Sequence, residues 1–465
     1  MTDSYFLPKS LPATIFRAYD IRGIADEQLS TDVVYGIGQA FATEALRVNQ
    51  SVIAVARDGR LSGPQLVAAL IAGIRAAGAD VIDLGAVPTP LLYFATATLE
   101  TQTGIMLTGS HNPSHYNGLK MVLAGNPVAG DAIFALKDRL ERGDLAYGQG
   151  GVEKCDILPA YLKAISQDIK LKRPLKVVLD AGSGIAGAVA PALFRALGCE
   201  VIELFCDVDG HFPHHHPDPS QLKNLAALIA CVKSEGADVG LAFDGDGDRL
   251  GLVTNTGDVI WPDRQLMLYA ADVLSRHPGG EIIYDVKCTR LLAPWIIAHG
   301  GKPLMWKTGH SFIKAKLKQT GALLAGEMSG HTFFKERWYG FDDGLYTGAR
   351  LVEILAAQAH SLTTLCATLP EAVNTPELNI VLADERKFAF MAEFIEKCQF
   401  KGATKITLDG LRVEYPDAWG LVRPSNTSPC LVLRFEADNS ARLALIMAEF
   451  KTELLAIAAD LPLPY

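Results

Sequence analysis

The sequence predicts an α/β protein in which three similar α/β segments precede a C-terminal α+β tail. Three observations carry that expectation. A chain of 465 residues is too long for one core and suggests about three or four domains. Apolar runs of strand length alternate with alanine-rich helical stretches, the mark of mainly parallel sheets. One coarse unit also occurs three times, each copy ending a strand at a polar loop. Ligands of such sheets sit beyond the carboxyl ends of the strands, so three copies aim three loops at one cleft.

In the first unit a strand at 51–56 meets Arg57-Asp58-Gly59-Arg60, then come a helix ending at Gly78, a strand at 80–84 and a strand at 104–107 running into Ser110. In the second, a strand at 176–179 meets Asp180-Ala181-Gly182-Ser183-Gly184, a helix ends at Gly198, and strands follow at 200–205 and 239–243, the last running into Asp244. In the third, a strand at 281–284 leads through Asp285-Val286-Lys287-Cys288-Thr289-Arg290 to a helix, then to strands at 302–306 and 322–325. That last strand runs into Gly326-Glu327-Met328-Ser329-Gly330-His331. From about residue 370 the pattern changes to strand-like runs at 377–382, 411–414 and 431–435 and an amphipathic helix at 439–456. This tail carries Arg423-Pro424-Ser425-Asn426-Thr427, whose basic and hydroxyl groups suit a phosphate.

With 49% hydrophobic and 20% charged residues the chain has the composition of a soluble globular protein. A net charge of -9 argues against general nucleic-acid or membrane-surface binding, where a basic excess supplies the affinity. It leaves room for an anionic ligand in a locally basic cleft. The eight cysteines are scattered, with no C-x-x-C pair and no metal-finger spacing, and read as reduced thiols. Residues 1–12 hold no apolar signal core, and no stretch of about 18 uncharged apolar residues occurs. Cytoplasmic residence is the expectation.

Asp244-Gly245-Asp246-Gly247-Asp248-Arg249 is the most informative stretch. Three anions packed this closely repel one another, and a bound divalent cation best offsets the repulsion. Oxygen ligands point to magnesium or calcium. Apolar runs at 239–243 and 250–254 read as strands that hold the loop on a rigid frame. A calcium-binding EF-hand fails, because it needs glycine and glutamate where Arg249 and Asn255 stand. An aspartate nucleophile of the D-x-D-x-[TV] kind fails too, since Asp248 is followed by Arg249 and Leu250. A solvated acidic turn remains as the bland alternative.

Thr108-Gly109-Ser110-His111-Asn112-Pro113 is a sharp polar turn after a buried strand, and it is expected to expose Ser110 with His111 beside it. A serine hydroxyl becomes reactive through a neighbouring base, a metal ion or a phosphoryl group it already carries. A G-x-S-x-G hydrolase elbow does not fit, because Asn112 stands where the second glycine belongs. Ser110 gains weight from occurring together with the aspartate loop.

Two rivals remain. Gly182-Ser183-Gly184-Ile185-Ala186-Gly187 matches G-x-G-x-x-G after a strand, as in an NAD-dependent dehydrogenase, but that leaves Ser110 and the aspartates without roles. Close helix-to-strand packing through glycine is the preferred explanation. The cluster His211, His214, His215 and His216 lacks regular ligand spacing and reads as a surface loop in preference to a zinc site. Taken singly, Lys287, His310 and His331 also read as surface groups.

The four motifs together, in this order, resemble the α-D-phosphohexomutase family in its bacterial phosphomannomutase/phosphoglucomutase branch, over essentially the whole chain. The resemblance implies three similar α/β domains with mixed, mainly parallel sheets plus a C-terminal α+β domain around a central cleft. It places a phosphoserine-loop domain at 1–154, a metal-binding domain at 155–257, a sugar-binding domain at 258–369 and a phosphate-binding domain at 370–465. It also implies a largely monomeric enzyme acting on hexose phosphates of mannose and glucose, without nucleic-acid or membrane partners. Phosphoserine 110 would donate to a hexose 1-phosphate, giving a 1,6-bisphosphate that reorients and returns its 1-phosphate, so that the 6-phosphate leaves. Mg2+ would be held by Ser110, Asp244, Asp246 and Asp248. Glucose or mannose 1,6-bisphosphate would be intermediate and activator. The catalytic set implied is Ser110, Arg22, His111, Lys120, Lys287 and His310, with Lys287 and His310 for proton transfer. Substrate contacts implied are Tyr19, Arg249, Lys287, His310, Glu327, Met328, Ser329, Gly330 and His331, with Arg423, Pro424, Ser425, Asn426 and Thr427 on the non-reacting phosphate. Met328 is similar to the mannose/glucose branch, where phosphoglucosamine mutases, the nearest alternative, usually carry glutamine. Ser428 departs from a glutamate common before the proline, which bears on the details of phosphate binding. A silent sugar-phosphate-binding protein is the alternative from another class.

Overall fold

Among the described residues four β-sheets follow one another along the chain, and the first three repeat one topology. In the first sheet Val52–Arg57 lies between the parallel strands Asp80–Ala86 and Gly104–Leu107, and Tyr116–Leu123 returns antiparallel to the latter. The second repeats this with Lys176–Asp180 between Glu200–Leu204 and Val239–Phe243, and with Leu250–Thr254 returning. The third has Glu281–Asp285 between Lys302–Trp306 and Leu324–Gly326, with Thr332–Phe334 returning. A reversal after the third strand of each unit is what makes the sheets mixed. It also puts the three motif loops, at Ser110, Asp244 and Glu327, at equivalent carboxyl-end turns. The computed structural model describes residues 5–8, 10–426 and 428–465. Among them no helix is long and apolar enough to cross a membrane.

The fourth sheet is antiparallel, with Ala418–Pro424 and Cys430–Ala437 at its centre. The helices Asp384–Lys397 and Ser440–Ile457 bury Phe394 and Phe450 against it, and Asn439 caps the second helix by accepting from Arg442 N. Arg423 and Pro424, expected in a loop, close the strand Ala418–Pro424.

One apolar cluster runs through the first three segments. The helix Thr89–Thr98 is largely apolar and is buried from Thr89 to Thr96. Its Phe94 stacks on Trp338 at 5.8 Å and meets Tyr161 edge-on at 5.4 Å, joining all three segments. This core fixes the three motif loops relative to one another.

The helix Gly344–Ala356 begins where the second and third units touch. Asp343 caps it, accepting from Tyr346 N at 2.9 Å and from Tyr161 Oη at 2.9 Å. Gly344 N donates to Gly247 O at 3.1 Å, and a Cβ at Gly344 would lie 2.6 Å from Arg249 O. Only glycine allows that approach. Gly344→Ala should therefore push the 244–249 loop away and cost about 1–3 kcal/mol, the usual scale of overpacking. A lowered thermal unfolding midpoint is the expected reading, and an unchanged midpoint would contradict the contact.

Candidate functional site

The turn around Ser110 is built from buried charge. Asp58 directly follows the strand Val52–Arg57, and its Oδ2 accepts from Thr108 Oγ1 at 2.8 Å and Gly109 N at 3.2 Å. Arg60 pairs with the same carboxylate at 3.1 Å and turns its guanidinium into the loop. There Nη2 donates to Ser110 O and Asn112 O, both at 2.7 Å, and Nη1 to Pro113 O at 2.5 Å and Tyr116 O at 2.9 Å. A Cβ at Gly109 would sit 2.4 Å from the guanidinium carbon, so the glycine makes room for it. On the other side His216 Nε2 donates to His111 O. These bonds hold Ser110 at φ +49°, a left-handed conformation a serine rarely adopts.

Ser110 is only 1% exposed, contrary to the exposed serine expected. It lies on the seam between the first two units, where Gly245 closes on its backbone: a Cβ at Gly245 would sit 2.3 Å from Ser110 O. Its Oγ donates to Asp244 Oδ2 at 3.0 Å and stands 3.2 Å from His111 Nδ1. Burial, with Arg249 and Arg22 near by, holds the His111 imidazole well below its usual pKa. Arg22 reaches the loop through Asn112 Oδ1 at 2.8 Å and is itself held by Asp20 at 2.5 Å.

Asp244, Asp246 and Asp248 are all fully buried, with ligand oxygens within 4.8 Å of one another. Lys120 enters from the strand Tyr116–Leu123 and donates to Asp246 Oδ2 at 2.7 Å and to Asp248 Oδ2. Thr89 Oγ1 donates to Asp246 Oδ2 at 2.6 Å. Burial opposes the Lys120 charge, but Asp246 and Asp248 outweigh it and raise the Lys120 pKa. Burial, then Asp246 and Asp248, push Asp244 well above the usual carboxylate range. Asp246 Oδ1 is buried with no hydrogen-bond partner among the described residues. An all-oxygen set with excess negative charge and a spare buried lone pair fits a hard divalent ion such as Mg2+.

The third loop meets the second. Arg249 and His331 form an isolated antiparallel bridge, and Arg249 Nε lies 3.1 Å from His331 Nε2. His331 Nε2 stands 3.2 Å from Asp248 Oδ1, and its Nδ1 stands 3.0 Å from Glu327 Oε2. Against the cost of burial, Asp248 and the bond to Glu327 raise the His331 pKa to about 9. Glu327 Oε1 accepts from Gly309 N at 2.5 Å, Met328 N donates to Asp285 Oδ1 at 3.2 Å, and Ser329 Oγ lies 3.2 Å from His331 Nδ1. Gly330 turns the loop at φ +101°. Lys287, His310 and His331 are buried, not surface groups, because each faces the seam between two segments.

On the tail side Lys287 Nζ donates to Glu377 at 2.6 Å. Arg412 Nη1 holds the Lys287 loop by Val286 O at 2.6 Å and Cys288 O at 2.7 Å. Arg423 Nε donates to Asp409 at 3.0 Å, and the same carboxylate accepts from Thr308 N at 3.1 Å. Arg423 Nη2 is buried without a hydrogen-bond partner among the described residues, a donor left for an anion. Pro424 and Asn426 are half-buried and Ser425 is buried, with Ser428 N donating to Ser425 Oγ at 3.1 Å; Thr427 lies outside the described residues. Tyr19 sets its ring edge-on to His310 at 5.9 Å.

The rival motifs find other uses. Gly184 and Ile185 pack on the metal loop, Ile185 N donating to Gly245 O at 3.1 Å, and a Cβ at Gly187 would lie 2.1 Å from Cys206 O. Among the described residues the candidate metal-holding groups do not include His211, His214, His215 or His216. His215 pairs with Asp180 at 3.0 Å, His214 stacks on Phe205, and His211 is exposed.

Comparison with known proteins decides the family. Phosphoglucomutase/phosphomannomutase profiles match in order: α/β/α domain I at 13–146, domain II at 159–257, domain III at 261–373 and the C-terminal domain at 377–453. The chain belongs to the phosphoglucomutase/phosphomannomutase family. It is 56% identical over 462 residues to the phosphomannomutase/phosphoglucomutase of Pseudomonas putida, covering 99% of this chain and 100% of that one. It is 55% identical over 441 residues to a phosphoglucomutase of Neisseria meningitidis, covering 94% and 96%. The crystal structure of a phosphoglucomutase/phosphomannomutase family protein from Burkholderia thailandensis superposes with a TM-score of 0.94 at 54% identity, over 98% of this chain and 100% of that one.

Several residues of this family member had no role from sequence: Asp58, Arg60, Thr89, Glu377 and Asp409. The repeat itself held a signal for the first, because Asp58, Asp180 and Asp285 each stand at or just beyond the end of a unit's first strand and all are buried. Arg60→Ala should cost about 3–5 kcal/mol, since it leaves Asp58 as an uncompensated buried charge. Arg60→Lys keeps the charge but loses the fork that binds four carbonyls, so turnover should fall more than stability. Lysine at 60 with full turnover would contradict this role.

Proposed function

We propose that the chain reversibly interconverts hexose 1-phosphates and hexose 6-phosphates, those of mannose and glucose, by phosphoryl transfer from a phosphorylated Ser110. The observation that carries this is Ser110 Oγ buried 3.0 Å from Asp244 Oδ2, at the edge of a three-carboxylate cluster, in a chain whose family match spans all four domains. Oxygens of Asp244, Asp246, Asp248 and the Ser110 phosphate would hold Mg2+, which when bound neutralises charge on the phosphoryl group. Lys120, Arg22 and Arg249 surround the same point and add positive charge that is already in place before substrate arrives.

Glu327 and Ser329 would grip sugar hydroxyls common to both binding orientations, and His331 adds a polar contact. His310 is held well below its usual pKa by burial and by Lys314 and Lys120, so it is neutral and able to accept the proton of the attacking hydroxyl. Lys287, tied to Glu377, sits at the tail end of the cleft as a second candidate for proton transfer. Arg423 through Nη2, which has no hydrogen-bond partner among the described residues, with Ser425, Asn426 and Thr427, would hold the non-reacting phosphate. A 1,6-bisphosphate intermediate must turn over in the cleft, so this one site accepts either phosphate. All these groups come from one chain, which supports a monomer, and a metabolic role in the cytoplasm goes with this activity.

The test uses purified chain with mannose 1-phosphate and glucose 1-phosphate in a coupled assay. Ser110→Ala should lose nearly all turnover while still binding sugar phosphate, and mass spectrometry of the resting wild-type chain should find phosphate on Ser110. Full turnover in the alanine variant would overturn the proposal.

A further inference from the structure

Lys387 lies in the tail, is 2% exposed and has no part in the chemistry above. A lysine is almost never buried to that degree unless acceptors meet its ammonium. Here they come from two elements. Lys387 Nζ donates to Asp384 Oδ1 at 2.5 Å, three residues back on the helix Asp384–Lys397, and to Ser428 O at 3.0 Å. The first contact is an ordinary pair on one helix face. The second is not, because it carries a buried charge to a backbone carbonyl 41 residues further along the chain.

Ser428 directly follows the run Arg423-Pro424-Ser425-Asn426-Thr427. Its N donates to Ser425 Oγ at 3.1 Å, Ser425 N donates to Cys430 O at 2.9 Å, and Cys430 N returns to Ser428 O at 2.8 Å. Ser428 O is therefore the point at which Lys387 grips a turn already closed on itself. A bond from an ammonium is stronger than the neutral bonds around it. Asp384 carries the line outwards, since its Oδ2 accepts from Arg17 Nη1 at 3.3 Å in the first segment. Arg17 N donates to Asp20 O at 3.0 Å, and Asp20 holds Arg22. The side chains of Arg17 and Asp384 are 28% and 41% exposed, so that outer link is weak and the buried link at Lys387 does the fixing.

We propose that Lys387 is the positioning residue of the tail's phosphate turn: its ammonium, held by Asp384, fixes Ser428 O and through it Ser425 in the arrangement a phosphate needs before substrate arrives. This rests on the reading above that Arg423 and Ser425 hold the non-reacting phosphate. A turn that had to be ordered on binding would lose affinity to that ordering, and a turn held beforehand does not. The same turn serves the phosphate of either isomer. Its ordering should therefore count equally for the 1-phosphate and the 6-phosphate, and should appear in KM and not in kcat.

The experiment uses full chains and measures kcat and KM with mannose 1-phosphate, and the Kd of mannose 1-phosphate and mannose 6-phosphate on a Ser110→Ala background. Lys387→Met keeps the buried stem and removes the donor. It should weaken both isomers by similar factors, roughly five- to fiftyfold, part of what a charge-assisted hydrogen bond supplies. KM should rise with them while kcat stays within about threefold, the pattern of lost uniform binding. Lys387→Arg should recover part of the affinity. Added to Ser425→Ala, Lys387→Met should cost much less than it does alone, because the two act through one turn. Wild-type affinity for both isomers in Arg423→Ala would sink the phosphate site itself. Weak binding in Arg423→Ala beside wild-type binding in Lys387→Met, a loss confined to one isomer, or fully additive losses with Ser425→Ala would overturn the positioning role alone. Should Lys387→Met fail to fold, Asp384→Asn decides: it loosens the ammonium from the half-buried side and should weaken both isomers alike, and wild-type binding there would overturn the role.

Discussion

Three aspartates buried within 4.8 Å of one another cannot stay charged without opposite charge brought to them. Much of the molecule's unusual local structure supplies it. Lys120 is a buried lysine in mid-strand because its ammonium meets Asp246 and Asp248. Arg249 and His331 bridge two loops at the point where Asp244 and Asp248 need cations. Glycines at 245, 247 and 344 exist to let backbones close around the same cluster. Lysine and histidine alone leave Asp246 Oδ1 unmet and Asp244 raised, which is the gap a divalent ion fills.

The threefold repeat separates support from chemistry. In the first and third units the buried aspartate near the end of the first strand accepts from backbone N–H groups of the neighbouring motif loop: Asp58 from Gly109, Asp285 from Met328. The second unit uses Asp180 for Gly182 N and His215 instead, and its metal loop is held by Thr89 of the first unit and by Ile185 of its own. One scaffold thus presents the serine turn, the three-carboxylate loop and the 326–331 loop with the same frame and different contents. The tail closes the fourth side through Arg412 on the Lys287 loop and Arg17 on Asp384 at 3.3 Å.

What could be read from sequence was what repeats or concentrates. The strands Val239–Phe243 and Leu250–Thr254 were legible as apolar runs, and the aspartate loop, the serine turn and the α+β character of the tail were legible too. Tyr116–Leu123 was not, because Asn117, Gly118 and Lys120 break the apolar alternation and are buried only through partners far away in the chain. The same cause hid Arg60, whose guanidinium binds carbonyls fifty and more residues away, and the burial of Ser110, which sits on a seam between segments; spacing along the chain carries no record of either contact. Lys287, His310 and His331 looked like surface groups for the same reason. Family resemblance placed them in the cleft where their own sequence context did not.

The central claim is that the buried carboxylate cluster is completed by a divalent cation. Its most direct measurement is the thermal unfolding midpoint of dialysed chain as Mg2+ is added, for wild type and Asp246→Asn. Ion bound only to the folded state should stabilise wild type by about 2.7 kcal/mol at a hundred times its dissociation constant. With one anionic oxygen gone, the Asp246→Asn curve should lie at much higher Mg2+ or stay flat. A wild-type midpoint that does not respond to Mg2+, or an Asp246→Asn chain that responds identically, would contradict the account.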